Sequence, residues 1–121
     1  MTTRISNKDA KKLGLLPKGH KYQAKPTVVD GVRFASKKEA RRYGELKAME
    51  KAGQIQWLRI QRSFEIIVNG INVGKYIADF VYRTIPDRGW VYEDVKGYRT
   101  PVYRLKKKLV EALYGIKIVE V

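Results

Sequence analysis

Two acidic residues stand in segments that otherwise have the pattern of β-strands. Asp79 interrupts the apolar run YIADF, and Asp94 follows fifteen residues later in EDVK. A carboxylate buried in a strand is costly unless it meets a cation, a hydrogen-bond network or a metal ion. Asp94 and Lys96 are two positions apart, so both project from the same face of their strand. Two carboxylates on neighbouring strands, with a lysine beside one of them, are typical of a hard-cation site for Mg²⁺ or Mn²⁺.

The chemistry open to such a site is phosphodiester hydrolysis. A divalent ion beside a scissile phosphate lowers the pKa of its bound water and stabilises the leaving oxygen. The chain has no cysteine, which excludes a thiolate metal site, and its one histidine, His20, argues against a zinc site or a Ser-His-Asp triad. Lys96 would position the attacking water or neutralise the charge that grows on the phosphate.

Each candidate residue also has a purely structural interpretation. Ser36 and Glu39 fit a capping box, in which the glutamate bonds back to the start of its helix. Asp79 could pair with a buried cation, and Asp94 with Lys96 could form a surface ion pair on an edge strand. Strand alternation predicts that Glu93 points away from Asp94 and Lys96.

Around these residues the hydrophobic pattern predicts an α/β fold, with a mixed central sheet flanked by helices. The expected elements are a hairpin at Asp30-Gly31, helices from Ser36 to about Ala52 and from Thr100-Pro101 to Gly115, and strands over Ile55–Ile60, Phe64–Val68, Val73–Arg83, Trp90–Lys96 and Ile116–Val121. The second helix should bury the stripe Val102, Leu105, Leu109 and Leu113. Trp57 and Trp90 are interpreted as packing residues rather than as platforms on which bases stack.

The charge of the chain indicates a polyanionic partner. There are 26 Lys+Arg against 12 Asp+Glu, a formal net charge of +14, and nucleic acid is the commonest polyanion. Residues 1–26 are predicted to be a basic, partly flexible arm, and residues 27–121 the folded domain. The cations expected to contact phosphates are Lys37, Lys38, Arg41, Arg42, Arg99, Arg104, Lys106, Lys107 and Lys108.

With no signal peptide and no apolar run of membrane-spanning length, we expect a cytoplasmic protein that does not bind membranes.

Asp79, then Asp94-Val95-Lys96, Gly97 and a basic helix together resemble the PD-(D/E)xK nuclease superfamily. Ala78 stands where the superfamily name expects proline. More closely, the chain from about Tyr22 to Val121 is similar to a family of small phage proteins described as endonucleases or Holliday-junction resolvases. The segments that carry this second resemblance are VDGVRFASKKEARRY, the Gln61–Phe64 stretch, YIADF, EDVKGY and IVEV.

The resemblance implies a restriction-endonuclease-like αβββαβ core and a Mg²⁺-dependent (or Mn²⁺-dependent) endonuclease acting on branched DNA, in the host-cell cytoplasm if the chain is phage-encoded. The implied catalytic residues are Glu39, Asp79, Asp94 and Lys96, of which the three acids are the metal ligands, with Gln61 as a possible contact of the metal-bound water. A junction needs two symmetric cuts, so a homodimer is expected. The alternative is a non-catalytic basic nucleic-acid-binding protein, in which converging carboxylates would have no function.

Overall fold

A computed structural model describes residues 26–121, so the predicted basic arm lies outside the described residues apart from Pro26. The described chain is a mixed α/β structure with a four-stranded sheet, a separate two-stranded hairpin and two helices. In chain order the elements are β1 (Thr27–Val29), β2 (Val32–Phe34), α1 (Lys37–Lys51), β3 (Ile55–Val68), β4 (Ile71–Thr84), β5 (Trp90–Asp94), α2 (Pro101–Tyr114) and β6 (Ile118–Glu120).

The larger sheet has the order β3-β4-β5-β6, with β5 antiparallel to β4 and parallel to β6. Its one parallel pair makes the sheet mixed, as the alternation of strands and helices predicts, because α2 carries the chain from β5 across to β6. β5 is therefore an interior strand of the sheet. This placement matters for the site, because β5 carries Asp94.

Both helices begin and end where their capping residues predict. The side chain of Ser36 accepts a hydrogen bond from the Glu39 N–H at the start of α1, and Thr100 does the same for the Tyr103 N–H at the start of α2. Gly115 ends α2 in the left-handed conformation, at φ 65°, which glycine adopts without the steric cost that other residues incur.

The two strands expected on either side of Gln61 form one continuous strand, β3. Trp57 and Gln61 adopt left-handed backbone conformations, with φ of 59° and 51°. Such residues change the direction of a strand, as in β-bulges, without ending it. The sequence pattern breaks after Ile60, and this break predicts two strands where the structure has one.

The chain divides into two compact units. The central unit contains residues 26–62, Ala78–Lys96 and Lys117–Val121, and the hairpin–helix unit contains Ser63–Ile77 and Gly97–Ile116. The central unit has a core in which α1 packs on one face of the sheet and on the β1–β2 hairpin. Its buried members are Phe34, Ala40, Tyr43, Leu46, Ile55, Phe80 and Tyr82.

In the hairpin–helix unit, the buried face of α2 is shifted from the expected one, and of the predicted stripe Val102 and Leu109 are half-buried. Val110 is fully buried, the Tyr103 ring lies 6.3 Å from that of Tyr76, and the Tyr114 ring lies edge-on to Phe64. These residues at 103, 110 and 114 share one side of a helix. Leu105 and Leu113, predicted to be buried, are 59% and 47% exposed because aromatic contacts decide the orientation of the helix.

The two tryptophans also differ from expectation, because neither is an interior packing residue. Trp57 is 49% exposed and Trp90 is 48% exposed, and their rings lie 5.9 Å apart. Within residues 26–121 no helix combines the length and the apolar character needed to cross a membrane.

Candidate functional site: an acidic row across three strands

Three carboxylates occupy neighbouring positions on adjacent strands of the central unit. The pairing of Phe80 with Glu93 places Asp79 opposite Asp94, one position further along the β4–β5 pair. Asp94 is in register with Glu120 on the parallel strand β6. Residues in register project from the same face of a sheet. Asp79, Asp94 and Glu120 therefore form one line, which we call the acidic row.

Asp79 lies where the β4–β5 ladder ends. Its carboxylate Oδ2 accepts a hydrogen bond of 2.8 Å from the Val95 N–H. A side chain thus takes the place that a carbonyl of β4 would fill if the ladder continued. The bond fixes the Asp79 carboxylate beside the end of β5, next to Asp94.

Asp94 is the most unusual residue of the row. Its side chain is fully buried, and its charged neighbour is Lys96, whose Nζ lies 3.4 Å from Oδ1. Neither carboxylate oxygen accepts a hydrogen bond of normal geometry from residues 26–121. Most buried polar atoms are hydrogen-bonded, and each exception calls for an explanation such as an ion. The Asp94 carboxylate, which has an ion pair with Lys96, thus keeps the capacity to coordinate a cation.

Burial raises the pKa of Asp94 to about 6, against the opposing effects of the Lys96 ammonium and the Asp79 backbone N–H. The neighbouring Glu120 carboxylate raises the pKa further. The Asp94–Lys96 pair exists, but it is neither on the surface nor on an edge strand, so the structural alternative of an exposed edge ion pair is wrong. A cation added to the row would relieve both the burial cost and the repulsion between the acids.

Glu93 points to the other face of the sheet, as strand alternation predicts. Both of its carboxylate oxygens accept hydrogen bonds from Arg42, at 2.9 and 2.7 Å, and one also accepts from the Tyr82 hydroxyl. The hydrogen bonds to Glu93 raise the pKa of Arg42, and burial together with Glu93 raises that of Tyr82. Arg42 was expected to contact phosphates, but its guanidinium is committed to this pair.

Glu39 is buried at the start of α1 and has capping contacts. Its N–H donates to Ser36 Oγ at 3.0 Å, and its Oε2 accepts from the Ala35 N–H at 3.2 Å. Glu39 therefore caps the helix as predicted, except that its carboxylate accepts from Ala35, the residue before the cap Ser36, and not from Ser36 itself. The neighbouring Lys38 Nζ donates to the Lys96 carbonyl at 3.2 Å, which joins the start of α1 to the chain just after β5.

The predicted three-acid metal site is not assembled as a cluster. Among residues 26–121 no three Asp, Glu, His or Cys side chains converge closely enough to hold a metal ion. What the structure brings together is Asp79, Asp94 and Lys96. A pair of carboxylates, one of them buried without a hydrogen bond of normal geometry, offers the all-oxygen donors that suit Mg²⁺ or Mn²⁺, which keep several water ligands in protein sites.

Gln61, predicted as a possible contact of the metal-bound water, has a backbone partner in the β1–β2 hairpin. Its side-chain amide donates to the Arg33 carbonyl at 3.4 Å, so it serves the β1–β2 hairpin. Of the predicted phosphate-binding cations in the central unit, Lys37, Lys38 and Arg41 are exposed on α1. The remaining ones belong to the hairpin–helix unit. There Arg99, Arg104 and Lys108 are exposed, and Lys106 and Lys107 are partly buried; burial lowers the pKa of Lys106.

Sequence reasoning missed two features of the central unit. Glu120 joins the acidic row because β6 pairs in parallel with β5. Alternation in the segment IVEV predicts which face of the strand carries Glu120. It does not predict that Glu120 lies beside Asp94. The second feature is the exposed pair Trp57 and Trp90, with the Arg83 guanidinium carbon 5.0 Å and 5.8 Å from their ring centres.

A family model matches residues 19–119, and its description is "Protein of unknown function (DUF1064)". No curated protein and no solved structure matches the chain.

Proposed function

Since that match covers most of its length, the chain belongs to the DUF1064 family, and we propose that it is a metal-dependent DNA endonuclease. The observation that carries the proposal is the buried carboxylate of Asp94, which has no hydrogen bond of normal geometry and lies beside Lys96 and Asp79. A fold does not keep such a group without compensation, and strongly perturbed titratable groups are frequent at catalytic sites.

In this proposal Asp79 and Asp94 hold Mg²⁺ or Mn²⁺, which supplies an activated water and stabilises the leaving oxygen. Lys96, held 3.4 Å from Asp94, orients the nucleophile and offsets the charge that develops on the phosphate. Glu39 has a supporting role from the start of α1, where its neighbour Lys38 is bonded to the Lys96 carbonyl. The hydrogen bond from the Val95 N–H keeps the Asp79 carboxylate in place between turnovers.

We take the core to be restriction-endonuclease-like. The chain order of α1, three strands, α2 and β6 supports this assignment, as does the position of Asp79 and Asp94 on neighbouring strands. The substrate is DNA, drawn by the net charge of +14 and held in part by the exposed Lys37, Lys38 and Arg41. The resemblance of the sequence to junction-resolving enzymes favours branched DNA and a homodimer that makes paired cuts.

The second candidate is a basic nucleic-acid-binding protein without catalysis. The observation that favours it is that, within residues 26–121, no three-residue metal cluster is present. Both candidates predict binding that weakens steeply with salt, because both neutralise phosphates. Salt dependence therefore cannot separate them, whereas cleavage can.

The test is an assay of the purified protein on four-way junctions, flaps, duplex and single strands, with Mg²⁺ or with EDTA. We expect Mg²⁺-dependent nicking that Asp94→Asn and Asp79→Asn abolish, while DNA binding is kept or strengthened because a negative charge near phosphate is removed. Glu65→Gln, which removes an exposed carboxylate from β3 in the other unit, should cleave normally.

A readout independent of turnover is thermal stability with and without Mg²⁺. A ligand that binds the native state raises its stability, so Mg²⁺ should stabilise the wild type and Glu65→Gln but not Asp94→Asn. Absence of cleavage on all four substrates, with no stabilisation by Mg²⁺ or Mn²⁺, would leave the non-catalytic candidate. Full activity in Asp94→Asn would refute the assignment of the site.

A further inference from the structure

A second site is suggested by two exposed tryptophans and a half-buried arginine of the central unit, which we call the tryptophan cluster: Trp57, Arg83 and Trp90. The two indole rings lie 5.9 Å apart at an angle of 33°, and each is about half exposed. Large exposed aromatic side chains leave apolar surface in contact with water, an arrangement more often found at binding sites than elsewhere on a protein surface.

The cation of the cluster is held in position. Arg83 Nε donates to the Arg88 carbonyl at 3.0 Å, while its guanidinium lies over both indoles. The turn that supplies this carbonyl is itself fixed, because the Arg88 N–H donates to Thr84 O and the Thr84 N–H donates to Gly89 O. No carboxylate of residues 26–121 forms an ion pair with Arg83. Its charge is therefore available to an anion.

A concave surface adjoins the cluster. Its volume is about 350 Å³, and its lining includes Trp57 and Arg83 together with Pro86 and Arg88. This volume falls at the lower end of the range of roughly 300–1,000 Å³ found for small-ligand pockets. The lining combines flat apolar surface with two guanidinium groups, which fits a flat, weakly polar ring attached to a phosphate.

Trp57 reaches this surface through an unusual backbone conformation. Its φ of 59° lies in the left-handed region, which bulky residues seldom adopt. The conformation interrupts the regular alternation of β3 and leaves the indole beside Trp90. A rare backbone conformation in a residue that packs into no core is typical of a side chain positioned for binding.

We propose that the tryptophan cluster binds an unpaired nucleobase of DNA, by stacking on an indole while Arg83 and Arg88 contact the adjoining phosphate. Bases stack on aromatic side chains whatever their identity, and arginine adds cation–π attraction and charge. The inference rests on the proposed function for its choice of DNA and makes the substrate more specific: DNA with unpaired nucleotides near the cut, as at a junction or a flap.

The chain offers a direct probe of this site, because its two tryptophans are Trp57 and Trp90. Tryptophan emission therefore reports on the cluster alone. The protein is titrated in EDTA with an oligothymidine single strand and with a blunt hairpin duplex of the same phosphate count. We expect saturable quenching by the single strand and little change with the duplex.

Variants then separate stacking from charge in an anisotropy assay with labelled oligothymidine. Trp57→Leu, which keeps an apolar side chain but no ring, should weaken binding about 10-fold, whereas Trp57→Phe should stay close to wild type. Arg83→Gln should weaken binding more than Lys117→Gln, which removes one exposed positive charge from the same unit. Circular dichroism of each variant establishes that it is folded.

Equal binding by Trp57→Leu and Trp57→Phe, or equal quenching by single strand and duplex, would overturn the proposal. So would emission that changes with protein concentration alone and not with DNA, since the cluster would then be an interface between copies. The titration needs no cleavage and no metal ion. Stacking without Mg²⁺-dependent nicking would refute the endonuclease proposal alone, and nicking without stacking would refute this one alone.

Discussion

At the scale of single residues, two buried carboxylates at successive positions of β5 differ in their hydrogen bonding. Glu93 is fully satisfied by Arg42 and Tyr82, whereas Asp94 has no hydrogen bond of normal geometry within residues 26–121. The first is part of the structure that holds α1 on the sheet. The second costs stability whenever it is ionised and the row has no cation, so the two residues should respond differently to pH and to substitution.

The stability of the protein in EDTA should fall as pH rises through the pKa of Asp94. That pKa is raised from 3.8 to about 6, so the folded state binds the proton more tightly than the unfolded state. The resulting stability is fully present below about pH 4 and is lost above about pH 6, a change of up to about 3 kcal/mol.

Urea denaturation of the wild type and of Asp94→Asn at about pH 4 and pH 7.5 measures this effect, because asparagine does not titrate. We expect the variant to gain stability relative to the wild type at the higher pH, with Glu65→Gln following the wild type. If the wild type and Asp94→Asn changed in parallel, Asp94 would not be the titrating group.

At the scale of elements, α1 is joined to the sheet by apolar packing and by one buried ion pair. Leu46, Ala40 and Tyr43 supply the apolar contacts, and Arg42 reaches Glu93 at 2.7 Å, where the Glu93 side chain is only 2% exposed. Removing one partner of a buried pair leaves the other charge without compensation. The same arginine has a second acidic neighbour, Glu45, 3.8 Å away and 57% exposed.

These two acids allow a matched comparison. Glu93→Gln should lower the free energy of unfolding by about 3–5 kcal/mol, whereas Glu45→Gln should change it by less than about 1 kcal/mol, because exposed ion pairs contribute little. Urea denaturation at neutral pH measures both. Comparable losses in the two variants would show that burial of the Arg42–Glu93 pair does not fix α1.

The sequence predicts the features of the helices, strands and site that depend on local pattern alone. Alternation alone separates Asp94 and Lys96 from Glu93, and the caps Ser36 and Thr100 locate both helices. The orientation of α2 depends instead on tertiary contacts. Tyr114 contacts Phe64, whereas Leu105 stays exposed. To predict that Glu120 lies beside Asp94 requires the register of β6 on β5, which the hydrophobic pattern does not give. The exposure of Trp57 follows from a left-handed backbone conformation that no local signal indicates.

At the scale of the whole molecule, the leucine face of α2 is the feature that most directly suggests self-association. Leu105 and Leu113 are two turns apart on one side of the helix and are 59% and 47% exposed. A homodimer places the same surface of both copies in contact. The proposed paired cuts in branched DNA require two copies, and this face supplies an apolar surface for them.

Light scattering should therefore give a mass near twice the 14.0 kDa of one chain, and Leu105→Glu should reduce it to one. Val28→Glu is the matched control, because it adds the same charge at a residue that is 66% exposed on β1. A single-chain mass for the wild type at all concentrations, or a Leu105→Glu variant that still dimerises, would exclude this interface.

The acidic row also has a thermodynamic consequence for a protein of such high positive charge. Under the proposed function, a DNA strand attracted by Lys37, Lys38 and Arg41 would approach the negative charges of Asp79, Asp94 and Glu120. These charges would repel its phosphates until a cation lies between them. Under the proposed function, binding of a divalent ion and binding of DNA are therefore reciprocally linked, each raising the affinity for the other by the same factor. Mg²⁺ should therefore bind more tightly when DNA is present, and DNA should bind more tightly when Mg²⁺ is present.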